Sequence, residues 1–215
     1  MPEEGERPAT SEATTHRLSL LLRALRVLEA EGVGTVSSHD LAARFGLHSA
    51  QIRKDLALFG EFGVRGVGYR VVELKTRLRN LMGLDRSRTV VIVGAGNLGQ
   101  ALADSRNFNS DGFHVAALFD LDGRKVGSKS RSGVSIHHAS EMSDTVRKLT
   151  AEIGVLAVPA EAVPEVARTL VDGGIVAILN FAPVTLPAIE NVVVKNVDLT
   201  LFLENLSFQL RERGR

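Results

Sequence analysis

The segment TVVIVGAGNLG, residues 89–99, decides the fold of the second half of the chain. Its first five residues predict a buried strand, and Gly94, Gly96 and Gly99 follow in the spacing G-x-G-x-x-G. The first glycine permits a tight turn, the second lets the backbone approach a pyrophosphate, and the third lets a helix pack closely on the strand. A helix predicted over residues 98–106 would offer its first N–H groups to that anion. The predicted pyrophosphate turn comprises Gly94, Ala95, Gly96, Asn97, Leu98 and Gly99.

A second predicted strand, residues 114–119, ends at Asp120, 21 residues after the last glycine of the motif. An acidic side chain at this place accepts hydrogen bonds from the ribose hydroxyls of an adenosine and repels a 2′-phosphate. The pattern therefore predicts a dinucleotide site that favours NADH and NAD+. Lys125 is assigned to the same site; with Arg124 and Lys129 it can attract a phosphate, which keeps NADP(H) open as an alternative.

The alternation of strands and helices continues toward the C-terminus. Strands predicted over residues 153–158, 175–179 and 192–196 are nearly continuously apolar, which is typical of a parallel, doubly wound sheet covered on both faces. Because ligands bind at the carboxyl ends of such strands, the loops after the first two should line the nicotinamide half of the site. The alternative is that these loops only connect elements. The loop residues concerned are Val158, Pro159, Asn180, Phe181 and Ala182.

The N-terminal part predicts three helices, over residues 16–30, 39–45 and 50–58. Ser37 and Asp40 have the spacing of a capping box, Gly46 suits the end of the second helix, and Ser49 can cap the third. An apolar stripe of Ile52, Leu56 and Phe59 leaves four polar residues of the third helix facing outward. These outward residues are Gln51, Arg53, Lys54 and Asp55.

A glycine-rich segment, residues 60–74, follows the third helix and predicts a two-stranded hairpin with Arg65 near its tip and Tyr69 on its return strand. A helix-turn-helix followed by a basic hairpin is a winged helix, whose second helix enters the major groove. An arginine at the tip suits the narrow minor groove. Residues 16–82 carry 11 basic and 6 acidic side chains, a charge of +5 that favours a polyanionic partner. The alternative is an ordinary helical pair with a surface hairpin.

Composition excludes several classes of protein. With no Cys, the chain has neither disulfides nor thiol-bound zinc, and we expect no metal. No apolar run reaches the roughly 20 residues of a membrane helix, and the acidic start lacks the pattern of a secretory signal. We therefore expect a cytoplasmic protein without a membrane partner.

The C-terminal helix, which Asp198 can cap, is apolar around most of its circumference. Such a helix must be buried on several sides, and a second chain is the favoured partner, although a groove of its own domain is an alternative. The chain thus divides into a disordered tail, a winged-helix domain, a Rossmann domain and a C-terminal helix, with bounds 1–15, 16–84, 85–197 and 198–215.

Seven short motifs in one order resemble those of the Rex family of redox-sensing transcriptional repressors. They are QIRKDL at 51–56, FGEFG at 59–63, RGVGY at 65–69, GAGNLGQAL at 94–102, FD at 119–120, NFAP at 180–183 and NVDL at 196–199. The resemblance implies a homodimer that binds palindromic operator DNA, is released by NADH, and is held in its DNA-bound state by competing NAD+. It also implies that the C-terminal helix is domain-swapped into the partner subunit.

Site residues follow from the resemblance by position. Recognition helix and wing together supply the residues assigned to DNA, which are Ser49, Gln51, Arg53, Lys54, Arg65, Gly66 and Tyr69. In the family an arginine, a tyrosine and an aspartate form a polar switch, and the matching positions here are Arg23, Ser105 and Asp198. Because a serine hydroxyl is shorter than a tyrosine, the coupling between NADH and DNA is expected to be weakened or rewired.

Two other functions compete with this interpretation. An NAD-dependent oxidoreductase with an appended helical domain needs a positioned acid or base. Only His137 and His138 lie near the Rossmann core, and both are interpreted as surface histidines, so we expect no enzyme. A CoA- or nucleotide-binding module that serves only as an interaction domain is the other alternative.

Overall fold

The computed structural model describes residues 11–60, 62–64, 66–106, 108–109 and 112–214. The chain divides into two compact units that meet in sequence between Asp85 and Arg86. Each unit has its own hydrophobic core, and each is described by itself below.

The first unit contains four helices and two short strands. In chain order they are α1 (Glu12–Ala30), β1 (Thr35–Val36), α2 (Ser38–Phe45), α3 (Ser49–Ala57), β2 (Tyr69–Arg70) and α4 (Val71–Leu81). Leucines at helical spacing on α1 pack against α4 and α3, so a single apolar cluster holds the unit together. The capping box of Ser37 and Asp40 is confirmed, and Gly46 ends α2 in the left-handed conformation with φ of 66°.

Three expectations for this unit are wrong in detail. The disordered tail was predicted to reach residue 15, but α1 begins at Glu12 because the Ser11 side chain accepts from the Thr14 N–H; residues 1–10 lie outside the described residues. Ser49 was predicted to cap α3, but it is the first residue of that helix. The N-cap position is occupied by His48, whose side chain makes no capping hydrogen bond.

The third difference concerns the hairpin. Its expected return strand, β2, pairs antiparallel with β1 of the preceding helical region. The pairing within the glycine segment is reduced to one bridge, between Val64 and Gly68. Positive φ angles explain this, because a β-ladder needs negative φ and the four glycines of the segment have φ between 76° and 119°. The helix α4 begins at Val71, directly after β2 ends at Arg70.

The second unit is built on a six-stranded parallel sheet with the order β5-β4-β3-β6-β7-β8. Its strands are β3 (Arg88–Val93), β4 (Phe113–Asp120), β5 (Ile136–His138), β6 (Ile153–Leu156), β7 (Ala177–Asn180) and β8 (Val193–Asn196). This is the strand order of a doubly wound Rossmann sheet, in which the order of strand addition reverses between the parallel strands β3 and β6. The predicted fold class of this unit is therefore confirmed. Sequence analysis assigned no element to β5.

Helices accompany the sheet. They are α5 (Asn97–Asp104), α6 (Met142–Leu149), α7 (Val163–Asp172) and α8 (Leu199–Glu212), with 3-10 turns at Ala139–Glu141 and Ala160–Ala162. Buried side chains of the sheet belong to two separate apolar clusters, so both faces of the central strands are buried. The helix α6 was not predicted, while α8 begins after Asp198 as expected, with the Asp198 carboxylate accepting from the Thr200 N–H.

Within the part of the chain that the structure describes, no helix is both long and apolar enough to cross a membrane.

Candidate functional site

The glycine turn after β3 has the geometry that its spacing predicts. Gly94 has φ of 100°, and a Cβ there would lie 2.2 Å from the Ala157 carbonyl oxygen. A Cβ on Gly99 would lie 1.8 Å from the Gly94 carbonyl oxygen, so only glycine lets α5 approach the turn this closely. By contrast, a Cβ on Gly96 would meet nothing within 4 Å. Gly96 therefore leaves open space at the start of α5, where an anion can approach the helix N-terminus.

Asp120, at the carboxyl end of β4, is fixed beside this turn. Its Oδ2 accepts from the Ala95 N–H at 2.8 Å and from Lys125 Nζ at 2.9 Å, and its Oδ1 accepts from the Asp122 N–H at 2.8 Å. Burial opposes ionisation, but these hydrogen bonds outweigh it and lower the pKa of Asp120 below its ordinary value. The carboxylate is thus held charged and oriented, as a ribose-binding acceptor requires.

A cavity of about 610 Å³ opens between the glycine turn and the ends of the neighbouring strands. The predicted residues that line it are Gly94, Gly96, Asp120, Lys125, Val158 and Pro159. Further lining residues come from the end of β5 and from the turn and helices that follow β5 and β6, among them His138, Ser140, Met142, Glu165 and Thr169. The structure therefore brings four of the eight predicted phosphate and ribose residues, Gly94, Gly96, Asp120 and Lys125, to one concave surface, as expected of a small-molecule site.

The predicted nicotinamide loop has a structural role. Asn180 is fully buried and donates to the Val184 carbonyl at 2.7 Å and to Asn196 Oδ1 at 2.8 Å, while its own Oδ1 accepts from the Ala182 N–H at 3.0 Å. Ala182 is buried, and Phe181 packs against a core cluster. These three residues do not line the cavity, because the Asn180 amide is used to fold the loop itself.

The helix α3 presents Arg53 and Lys54 to solvent. Arg53 donates to the Ser38 hydroxyl at 2.8 Å, so its guanidinium group is held near the start of α2. Ser49 and Gln51 are half-buried, and the Gln51 amide donates to Asp55 Oδ1 at 2.7 Å. A basic, exposed helix face next to a helix N-terminus is what contact with a phosphate backbone requires.

Asp55 corrects the sequence analysis, because it faces inward and its side chain is only 4% exposed. Two hydrogen bonds from Arg17 of α1, at 2.5 Å and 2.8 Å, pair the two groups in a fork. The Arg17 hydrogen bond is the main cause of the lowered pKa of Asp55, against the effect of burial. This ion pair holds α3 against α1. Sequence periodicity missed it because the partner lies 38 residues earlier in the chain.

The wing brings together only part of its predicted DNA residues. Gly66 is exposed with φ of 82°, and it lines a groove of about 610 Å³ with Arg53. Tyr69 differs from the expectation, since its side chain is a core residue with 8% exposure and burial raises its pKa. Its place on β2, opposite Val36, turns the ring inward. Arg65 lies outside the described residues.

Three residues were assigned to the switch. Arg23 lies on the exposed side of α1 in the first unit. Ser105 is half-buried at the end of α5, and exposed Asp198 caps α8. Hydrogen bonds from Thr200 lower the pKa of Asp198, so its carboxylate is charged at neutral pH.

No group of three or more His, Cys, Asp or Glu residues that could hold a metal ion occurs among the described positions.

Comparison with known proteins shows which families the chain matches. Residues 85–184 match the family described as "CoA binding domain", and residues 9–57 match the one described as "Putative DNA-binding protein N-terminus". A relative from Carboxydothermus hydrogenoformans, named redox-sensing transcriptional repressor Rex, is 46% identical over 93% of this chain and 96% of its own length.

Solved structures of one further protein, described as RSP, a Rex-family repressor, give the same result. RSP in complex with beta-NAD+ and operator DNA superposes with a TM-score of 0.89 at 36% identity, covering 95% of this chain and 94% of that one. RSP in complex with beta-NADH superposes with a TM-score of 0.85 at 35% identity, covering 96% of both chains.

Proposed function

The chain belongs to the Rex family of redox-sensing transcriptional repressors, and on this premise we propose that it binds palindromic operator DNA as a homodimer and is released from it by NADH. The observation that carries the proposal is the presence of two separate anion-binding arrangements in one chain. Exposed Arg53 and Lys54 on α3 form the first. The second is the open glycine turn beside ionised Asp120.

DNA binding would rest on the first unit. Lys54 is exposed, Arg53 is anchored on Ser38, and the fork between Arg17 and Asp55 holds the helix that carries them. We assign base and phosphate contacts in the major groove to α3, together with Ser49 and Gln51. The protein groove beside Gly66 would lie against the adjacent DNA backbone, and Arg65 would reach the minor groove of the DNA.

Cofactor binding would rest on the second unit. NADH and NAD+ would place their pyrophosphate at Gly96 and the start of α5, and their adenosine ribose at Asp120. The ion pair of Lys125 with Asp120, at 2.9 Å, supports NAD(H) over the 2′-phosphorylated form, because the ammonium group is already neutralised by the carboxylate. The cofactor would act as an effector, since relatives in this family are named repressors and not enzymes.

Release would be a population shift. NADH must bind one arrangement of the DNA-binding units more tightly than the other arrangement, and a tenfold loss of operator affinity needs a difference of about 1.4 kcal/mol. The nicotinamide ring is the part of the ligand that reduction changes, because it loses its positive charge. Arg23, Ser105 and Asp198 are the positions we assign to the coupling. We also propose that the protein acts in the cytoplasm.

The homodimer is supported by α8. Its seven large apolar residues are 50 to 67% exposed, which is far more apolar surface than one helix of a monomer leaves to water. These residues are Leu199, Leu201, Phe202, Leu203, Leu206, Phe208 and Leu210. Covering them by a second copy of the chain, through exchange of the helix, would explain their number.

Two solution measurements test this proposal. Sedimentation of the protein with a labelled palindromic fragment should show two chains per operator, and removal of residues 199–215 should leave monomers with much weaker operator binding. Titration of the protein with NADH, followed by the fluorescence of the cofactor, should saturate at one site per chain. A monomer on the operator, or the absence of NADH binding, would contradict the proposal.

A further inference from the structure

Two asparagines join the carboxyl ends of the last two strands of the sheet. Asn180 ends β7 and Asn196 ends β8, and the register of the two strands places them side by side. The side-chain amide of Asn180, which is fully buried, donates to Asn196 Oδ1 at 2.8 Å. The two strand ends are therefore held together by side chains as well as by the sheet.

Asn196 also binds the segment that connects β7 to β8. Its Oδ1 accepts from the Leu186 N–H at 2.9 Å, and its Nδ2 donates to the Leu186 carbonyl at 3.0 Å. One side-chain amide thus exchanges two hydrogen bonds with one backbone residue, as a residue of a neighbouring antiparallel strand does. Leu186 is itself fixed, because its side chain is buried in the core of the unit. We call Asn180, Leu186 and Asn196 the amide clamp.

The chain passes from the amide clamp to α8 within a few residues. The Val197 N–H donates to the Asn180 carbonyl at 2.8 Å, so Val197 is still attached to the sheet. The next residue, Asp198, already caps α8, since its carboxylate accepts from the Thr200 N–H. The direction in which α8 leaves the sheet is therefore set at the joint between Val197 and Asp198, directly after the clamp.

Packing within the chain gives α8 no other direction. All residues of α8 are exposed, including its large apolar ones. A segment that is already held in its bound direction loses less conformational freedom on association, and this raises its affinity for a partner. The clamp has this effect on α8 if the helix is covered by a second copy of the chain.

We propose that Asn196 is a positioning residue for dimerisation, which acts through the amide clamp by fixing the direction in which α8 is presented to a second copy of the chain. This inference rests on the proposed homodimer, and it adds a residue outside α8 that sets the strength of the dimer.

Sedimentation of the full-length protein over a series of concentrations measures the dimer dissociation constant. Asn196→Ala removes the side-chain bonds to Leu186 and Asn180, and it should raise that constant about tenfold or more. Insertion of two glycines between Val197 and Asp198 leaves the clamp intact but frees the joint, because glycine is conformationally permissive. The insertion should raise the constant by a similar factor, and it remains informative if Asn196→Ala does not fold.

Val146→Ala is the matched control for stability. Val146 is a fully buried residue of α6 in the same core cluster as Leu186. Its truncation should lower the midpoint of thermal unfolding but leave the dimer dissociation constant within about twofold of the wild-type value. Hydrogen exchange tests the clamp itself, since the Leu186 N–H should be protected in the wild type and exchange about tenfold faster or more in Asn196→Ala.

A wild-type dimer dissociation constant in Asn196→Ala or in the glycine insertion would overturn the inference and leave the proposed function intact. Equal weakening of the dimer by Asn196→Ala and Val146→Ala would also overturn it, because the effect would then follow stability alone. An unprotected Leu186 N–H in the wild type would show that no clamp forms in solution. A wild-type protein that stays monomeric at every concentration would instead contradict the proposed homodimer.

Discussion

Each of the two proposed binding events depends on one aspartate carboxylate: cofactor binding on Asp120, and DNA binding on Asp55. Asp120 is oriented by three donors on its own unit, and Asp55 is oriented by Arg17 on another helix. In both cases the neighbouring donors lower the pKa, so the group stays ionised at neutral pH. The two aspartates have different roles, because Asp120 lines a cavity whereas Asp55 is buried inside the DNA-binding unit.

Replacement of Asp120 by alanine should weaken NADH binding at least tenfold. The variant loses the acceptor for the ribose hydroxyls, and hydrogen bonds to a charged group are worth about 1.5–3 kcal/mol. Operator binding without ligand should be unchanged, because Asp120 belongs to the other unit. Fluorescence titration and operator anisotropy measure the two effects. Asp144→Ala, an exposed aspartate paired with Arg147, is the control, and equal NADH affinity in both variants would remove Asp120 from the site.

Lys54→Ala should lower operator affinity and reduce the slope of log Kd against log salt by about one, as the loss of one phosphate contact does. The matched control is Lys75→Ala, since that lysine is paired with Glu29 within the unit. Anisotropy of a labelled operator at several salt concentrations gives both slopes. A slope identical to that of the wild type would place Lys54 away from the DNA backbone.

Acid should weaken the first unit through Asp55. Because the folded pKa of Asp55 lies below the unfolded value of about 3.9, its ion pair stabilises the unit above that pH and is lost as the pH falls through the folded pKa. Thermal unfolding of wild type and Asp55→Asn should therefore differ at pH 7 and converge in acid, once the pH has fallen below the folded pKa of Asp55. A difference that is constant with pH would show that the charge of Asp55 does not stabilise the fold.

At the scale of elements, motifs with local causes were predictable. The capping box at Ser37 is local, since its hydrogen bonds join residues three positions apart. The strand, turn and helix around Gly94–Gly99 are marked by the apolar run and the glycine spacing in the sequence itself. The hairpin and the inward turn of Asp55 were not, because β2 pairs with β1 and Asp55 pairs with Arg17, both distant in sequence. His138, interpreted from the sequence as a surface histidine, is instead half-buried in the cavity wall, because the register of β4 and β5 brings it beside Asp120.

Two glycines of one turn should respond differently to alanine. Gly99→Ala places a Cβ 1.8 Å from a carbonyl oxygen and should destabilise the second unit by about 1–3 kcal/mol. Gly96→Ala has space for its Cβ and a φ of −77°, so its stability should change by less than about 0.5 kcal/mol. Its NADH affinity should nevertheless fall about tenfold, because the methyl group occupies the path of the pyrophosphate.

Denaturant unfolding and NADH titration of the two variants separate these effects. Normal NADH affinity in Gly96→Ala would show that no ligand approaches the backbone there.

At the scale of the whole molecule, both ligands must influence each other for the chain to act as a sensor. Thermodynamic linkage requires that any factor by which NADH weakens operator binding is the factor by which operator weakens NADH binding. We propose that Ser105, at a position where the resemblance implies a tyrosine, sets the size of that factor in this chain.

The most direct test of this account is the affinity for a labelled palindromic operator, measured by anisotropy during separate titrations with NADH and NAD+. We expect saturating NADH to raise the operator Kd, NAD+ to leave it unchanged or lower it, and added NAD+ to shift the NADH titration to higher concentrations. An operator Kd that is the same with saturating NADH as without it, while NADH binds, would contradict the account.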